Sequence, residues 1–518
     1  MVHKLHIIQD IPVSKFRSIA SQVIACMSCN MLLLDLGMAV SFSTIALPDL
    51  LNAKEGLSLN EDQASWFGSL AFLTQPLGAL FSGPLVDYFG RKKATFIVNI
   101  PHLVAWILMY YAWNVPALFL ANGLLGLGTG IMESPINAYV GEISESSIRG
   151  ALCTTTQVFT SVGILVMYFL GVVVPWRQAA LVCLVAPVLS MAWVVFNLVP
   201  ETPVWLLVRN REKDALKSLC FLRGWTTQEN VREEYDALVE YAKTLKQCII
   251  CYKTDSKESE LNECEHMKMN FVKKAILKFR YVMLSKETLR PFSFIMSYFA
   301  FLVMSGLAPI RPNLVNVCDA FGMATGGKNV ALMVGVITVV VCVVVAGTIK
   351  FLGKRKLCIG AMLGTAVFTL ALSIYAKVNL DDTVFSYDVS TFPKEKSYVP
   401  LFLFYMMTVF TALAIPWVLF GEVFPFRSRA SAQGLAAAGN YVITFIAAKT
   451  LINLETTVQL WGAFAVYAAF AFVGTVYLYF FLPETEGKTL QEIENYYNGE
   501  FRTFADDPVI NYFKRFKR

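Results

Sequence analysis

The sequence predicts an all-α integral membrane protein: two six-helix bundles with a cytoplasmic helical segment between them. Three observations carry this. Apolar runs of about twenty residues, each enough to cross roughly 30 Å of hydrocarbon, recur along a chain that is 56% hydrophobic and only 16% charged. A polar stretch over 200–290, rich in Lys, Glu and Arg, divides those runs into two sets of six. The third observation is a loop that occurs once in each set.

Gly83-Pro-Leu-Val-Asp87-Tyr-Phe-Gly90-Arg91-Lys92-Lys93 joins two apolar runs, and Ala346-Gly-Thr-Ile-Lys350-Phe-Leu-Gly353-Lys354-Arg355-Lys356 repeats the pattern between two others. Gly83 is expected to let two helices approach closely, and Gly90 to permit a tight turn. Asp87, near a helix end, is expected to accept hydrogen bonds from the free N–H groups of a neighbouring helix, or to pair with an arginine. An ordinary cytoplasmic turn would carry the same cations. Its recurrence at the same place in each half argues for a duplicated bundle.

Twelve spans are predicted, over 19–45, 64–86, 94–113, 116–138, 153–174, 179–199, 291–311, 330–352, 357–377, 400–421, 432–453 and 461–482. The chain then divides into a cytoplasmic segment 1–18, a first bundle 19–199, a linker 200–290, a second bundle 291–482 and a tail 483–518. Amphipathic stretches around 208–222, 229–246 and 267–285 predict helices in the linker, whereas 250–265 has no periodicity. Lys4, Lys15, Arg17, Arg91–Lys93, Arg149, the linker, Lys354–Lys356, Arg427, Arg429 and the tail fall on one side. Asp49, Glu55, Glu61, Asp62, Asp381, Asp382 and Glu455 fall on the other. Excess Lys and Arg marks cytoplasmic loops, so both termini and the linker are expected inside. No Asn-x-Ser/Thr sequon offers a check on the outer loops.

Several functional classes are disfavoured. The net charge of +6 sits in short loops beside apolar runs, which argues for a bilayer partner and against nucleic acid. No Gly-x-x-x-x-Gly-Lys-Ser/Thr loop is present for a nucleotide. No nucleophile, base and orienting group share one side of the membrane in a recognisable order, so an enzyme is not expected. The first residues are mixed and polar, unlike a cleavable signal peptide. The eleven cysteines are scattered rather than framed as disulfides. Cys248, Cys251, Cys264 and His266 come in a zinc-like order, but the spacing matches no common finger, and neither metal nor cofactor is expected. Cys26 and Cys29 are read as packing residues at a span start, and His102 as a satisfied helix residue.

Around the repeated loop the chain resembles the sugar porter family of the major facilitator superfamily. Gly83…Asp87-Tyr-Phe-Gly90-Arg91-Lys92-Lys93 is similar to its Gly-x-x-x-Asp-Arg-x-Gly-Arg-Arg loop, with Tyr88 in place of the first arginine. Further matches follow in order: Gly126-Leu-Gly128-Thr-Gly130, Tyr139-Val-Gly-Glu142 with Arg149-Gly, Pro200-Glu201-Thr-Pro203-Val-Trp205-Leu-Leu, Pro416-Trp417…Gly421-Glu422-Val-Phe-Pro425…Arg429, and Pro483-Glu484-Thr485-Glu486-Gly487-Lys488-Thr489. The resemblance implies the superfamily's fold and alternating access around a site at the membrane midplane. It also implies that Asp87, Arg91, Glu142, Arg149 and Glu201, with Glu422, Arg429 and Glu484, form a cytoplasmic gate. Val204 and Lys350 depart from the family pattern there.

For the substrate, the resemblance implies that Gln157, Trp417 and Asn440 line a sugar cavity, since amides bond hydroxyls and an indole stacks on ring C–H faces. The seventh span departs from hexose transporters. It reads Leu302-Val303-Met-Ser305-Gly306-Leu-Ala308 where they carry two glutamines and an asparagine, and Val409 stands near the place of an acidic ligand.

Asp35, Glu133 and Arg311 are charged residues within spans; a mid-membrane charge costs roughly 3 kcal/mol, so each needs a partner, water or protonation. Proton-coupled sugar porters use an acid on the first span and an arginine on the fourth, and here those places fall at Ala39 and Asn122. Asp35 lies one turn before Ala39 and faces similarly. Asp35 and Glu133 are therefore candidates for a proton or charge site, with Arg311 as a candidate counter-ion.

The mixture is similar to divergent members of the facilitated trehalose transporter group. The expected function is transport of a hexose or a disaccharide such as trehalose across the plasma membrane by alternating access, as facilitated diffusion. Proton symport and a non-transporting nutrient sensor on the same fold are the alternatives.

Overall fold

The computed structural model describes residues 14–145, 148–246, 273, 277, 283–424, 429–485 and 496–497. Regular structure among them is helical apart from two isolated bridges, Leu51 with Leu59 and Met323 with Ser397. The first half holds α1 (Lys15–Leu50), α2 (Glu61–Phe89), α3 (Arg91–Tyr111), α4 (Val115–Ile131), α5 (Glu133–Ile143), α6 (Arg149–Val173), α7 (Trp176–Cys183) and α8 (Val185–Val195). In the linker come α9 (Pro203–Val208), α10 (Glu212–Leu222) and α11 (Arg232–Lys246). The second half holds α12 (Lys286–Val303), α13 (Leu307–Ile310), α14 (Leu314–Ala320), α15 (Gly327–Leu352), α16 (Lys354–Asn379), α17 (Tyr398–Leu413), α18 (Pro416–Glu422) and α19 (Arg429–Phe481).

Local chemistry sets these boundaries. Asn60 and Gln63 form a reciprocal capping box at the start of α2, and the Asn114 side chain accepts from Ala117 N–H at the start of α4. The predicted fourth span, 116–138, divides at Met132 into α4 and α5. Pro135 has no N–H to give the carbonyl of Ile131, four residues back, which is where the helix breaks. The seventh span is not continuous either. Thr288–Val303 and Leu307–Ala320 meet at 55°, because Gly306 takes φ +123 and Pro309 and Pro312 follow closely.

Nine described helices are long and apolar enough to cross a membrane, or ten if that bent pair is one span. The 51-residue stretch Ser431–Phe481 covers both of the last two predicted spans and is interrupted at Gln459, φ 63. Two of the three helices predicted in the linker appear as α10 and α11. The segment 250–265 and most of 267–285 lie outside the described residues, as do Cys248, Cys251, Cys264 and His266.

Within the first half α1 packs on α6 and α2 on α4; within the second, α16 packs on α17 and α19, and α12 on α19. The halves meet along α2 with α19 and along α6 with α15. One cluster of buried apolar side chains runs through both halves, joining Phe42, Trp106 and Tyr168 to Leu314, Phe321 and Phe464. Two others are confined to a single half, around Tyr139 in the first and Tyr298 in the second. The halves thus share a core at one end, the end that carries Asp49 and Asp62. Large exposed apolar residues such as Phe351, Phe196 and Val378 suit a surface solvated by hydrocarbon rather than water.

Candidate substrate path and gates

The repeated loop builds the same device twice. Gly90 takes φ +84 and Gly353 φ +76, a region that a side chain would strain. Each turn delivers the first N–H groups of the next helix to a carboxylate from far along the chain. Glu201 Oε1 accepts from Arg91 N at 2.9 Å, and both of its oxygens contact Lys92 N. Glu484 accepts from Lys354 N and Arg355 N, each at 3.1 Å. A helix N-terminus has unmet N–H groups and a positive dipole end, and a carboxylate answers both. Burial pushes the Glu201 carboxyl above its ordinary pKa, while the N–H groups of Thr202, Lys92 and Arg91 pull it back.

Other members of the sequence-predicted gate occupy the same end. The Arg91 guanidinium donates to Glu142 Oε1 at 2.6 Å, within the first half. Asp87 is exposed; its main-chain carbonyl, rather than its carboxylate, accepts from Trp205 Nε1 and from the Arg209 guanidinium. The helix-capping role expected of Asp87 belongs instead to Glu201. Gly83 has open space where a Cβ would stand, so the close approach expected there is not made. The side chains of Arg149, Glu422 and Arg429 lie outside the described residues.

In the first bundle Asp35 is 0% exposed. Its Oδ1 accepts from Trp106 Nε1 at 2.8 Å, and its Oδ2 pairs with His102 Nδ1. The carboxylate is therefore partnered within its own bundle by two residues of α3, rather than by Arg311. The sequence does place His102 one turn before Trp106, on one helix face, but nothing in it says which helix they meet. Arg311 sits at the break in the seventh span, where its carbonyl accepts from Thr44 Oγ1 at 2.6 Å. The Glu133 side chain lies outside the described residues. Ala39 and Asn122 line one small cavity between α1, α2 and α4, so the two places where an acid and an arginine were expected face each other and are neutral.

The end opposite the repeated loops carries contacts between halves that sequence reasoning missed. Lys328 Nζ lies 3.1 Å from Asp49 Oδ1, and Lys449 Nζ 3.3 Å from Asp62 Oδ1. Lys449 also stands 4.4 Å over the Trp66 ring, and Trp66 packs on Phe445. Glu455, expected in an outer loop, is buried there and accepts from Ser386 N and Oγ.

The model for sugar (and other) transporters matches residues 22–497. The chain belongs to the sugar (and other) transporter family. This member of the family is 27% identical over 492 residues to a facilitated trehalose transporter of Drosophila virilis. It is 26% identical over 494 residues to one of Polypedilum vanderplanki. Each match covers 94% of the chain, which spans about half the length of the Drosophila relative, 50%, and 90% of the other. Among solved structures, the proton:xylose symporter XylE is similar, with TM-score 0.66 and 17% identity over 93% of this chain and 100% of that one. The xylose transporter XylE of E. coli in a partially occluded inward-open conformation gives TM-score 0.67 and 16% identity, over 91% and 100%. The fold is that of the major facilitator superfamily.

The three residues expected to line a sugar cavity stand on different elements. Gln157, on α6, is exposed, one turn from Ser161, whose Oγ lies 3.2 Å from Cys342 Sγ of the other half. Trp417, on α18, packs on Phe299 and Phe420 at ring distances of 5.0 and 5.2 Å and remains half-buried. Asn440, on α19, is 6% exposed, and its Oδ1 has no hydrogen-bond partner. A buried acceptor left unmet costs about 1–3 kcal/mol, and an arriving hydroxyl removes that cost.

Proposed function

We propose that this chain carries a sugar across the plasma membrane by alternating access, as facilitated diffusion, with trehalose the first substrate to test. The observation that carries the mode of transport is the neutral cavity shared by Ala39 and Asn122. The acid and arginine of proton-coupled porters have no counterpart there, and Asp35 is compensated inside its own bundle by His102 and Trp106. The printed names of the facilitated trehalose transporters support the substrate class.

In this reading the termini are cytoplasmic, the chain crosses twelve times, and the ion pairs Asp49–Lys328 and Asp62–Lys449 close the outer end. The Glu201 and Glu484 turns then belong to the cytoplasmic gate, whose halves separate when the outside is shut. Gln157, Trp417 and Asn440 contact the sugar in the closed path.

Uptake of labelled trehalose, glucose and fructose into proteoliposomes, with and without an inward proton gradient, tests this. Entry of one sugar independent of the gradient is expected. Gradient-driven accumulation would replace the reading with proton symport, for which the buried Asp35–His102 pair is the observation in favour. Binding without entry would replace it with a nutrient sensor.

A further inference from the structure

The cavity that holds Ala39 and Asn122 has a second property. It measures ≈ 10 Å³, room for about one oxygen-sized group. Two buried polar atoms of its lining have no hydrogen-bond partner: Gln75 Oε1 on α2 and Thr129 Oγ1 on α4. Both residues are 1% exposed. A threonine inside a helix ordinarily bonds the carbonyl a turn earlier, as Thr160, Thr365 and Thr408 do here. Thr129 does not. Asn122 does not answer Gln75 either: its amide donates to the Phe67 carbonyl, and Gln75 Oε1 stays unmet.

No charged side chain lines the cavity, so its chemistry suits a neutral group with one hydrogen to give and a lone pair to share. The cavity also lies beside the seam between the halves. Gly68, in its lining, faces the Pro312 ring of the broken seventh span, and Thr44, next to the lining residue Ser43, donates to the Arg311 carbonyl. Path and notch are neighbours.

We propose that this notch is a substrate subsite for a single sugar hydroxyl, which donates to Gln75 Oε1 and accepts from Thr129 Oγ1–H. The inference rests on the reading of the chain as a sugar transporter. A water molecule offers the same chemistry, and the test separates the two sources. Trehalose and its singly deoxygenated analogues compete against labelled trehalose for uptake by the full chain in proteoliposomes. Glucose and the deoxyglucoses replace them where glucose is the sugar carried.

In the wild type one analogue is expected to compete about thirtyfold more weakly than the parent sugar, the loss of the two hydrogen bonds its hydroxyl makes in the notch. In Thr129→Val the parent sugar weakens about fivefold toward that analogue, the loss of the one bond from Thr129, and the analogue's own potency is unchanged. Gln75→Met supplies an independent second arm with the same expected pattern if Thr129→Val fails to yield monodisperse protein. Equal weakening of the parent and every analogue, or no change in either variant, means that the notch holds only water and overturns the subsite. Failure of the wild type to carry or bind any sugar brings down the transport reading itself, and the subsite with it.

Discussion

Asp35 and Trp106 are joined by a 2.8 Å hydrogen bond from the indole Nε1 to Oδ1, and His102 Nδ1 closes on the other carboxylate oxygen. All three residues are 0% exposed. A carboxylate in this position needs its partner more than the fold needs the pair. Removing one member of a buried polar pair leaves the other unmet at about 1–3 kcal/mol, and more where it is charged, whereas replacing both costs far less. His102→Leu is therefore expected to lower the melting temperature of the detergent-purified protein sharply, and Asp35→Asn in the same chain to restore most of it. Additive losses in the double variant would count against a charge pair.

Glu201 gives a pH dependence of known sign. Its carboxyl is raised by burial, so in the folded protein it holds a proton at a pH where the unfolded chain has released it. Its contribution to stability is then largest at low pH and falls as pH rises through the raised folded value. Melting temperature followed from the ordinary carboxylate range upward is expected to decline less steeply in Glu201→Gln than in the wild type. An unchanged slope would remove Glu201 as the titrating group.

The ion pairs at the end opposite the repeated loops predict a reversible lock. Asp49→Cys with Lys328→Cys, bridged through two disulfides by a short bifunctional methanethiosulfonate reagent, is expected to stop uptake, and reduction to recover it. Either single variant under the same reagent serves as the control. Transport that continues after verified cross-linking would mean that these two helices do not part during the cycle.

Trp417 packs against Phe299 and Phe420 in tilted and edge-on contacts and remains half-buried. Loss of an aromatic platform costs about 0.5–1.5 kcal/mol beyond area, so Trp417→Ala is expected to raise KM up to about tenfold with surface protein unchanged. Uptake kinetics identical to wild type would take Trp417 out of the site.

Much of the fold was legible because membrane helices announce themselves by length and apolarity. The turn glycines were legible too, since Gly90 and Gly353 sit at matching places and both take positive φ. Asp87 was misjudged for a physical reason: proximity in sequence to a helix start does not decide which carboxylate reaches it. Glu201 arrives from 110 residues away. The break in the seventh span was written in Gly306, Pro309 and Pro312, but a hydropathy run reads straight through such residues.

The sequence by itself determined the membrane class, the duplicated halves and the family, because these depend on apolar run length, periodic loops and local turn chemistry. Only the tertiary structure decided the partners: His102 and Trp106 for Asp35, Lys328 for Asp49, and nothing at all for Gln75 Oε1 and Thr129 Oγ1. Each helix knows its own face from spacing, but the rotation and depth at which two helices meet come from packing the whole bundle, and hydrogen bonds are made or left unmade at that last step.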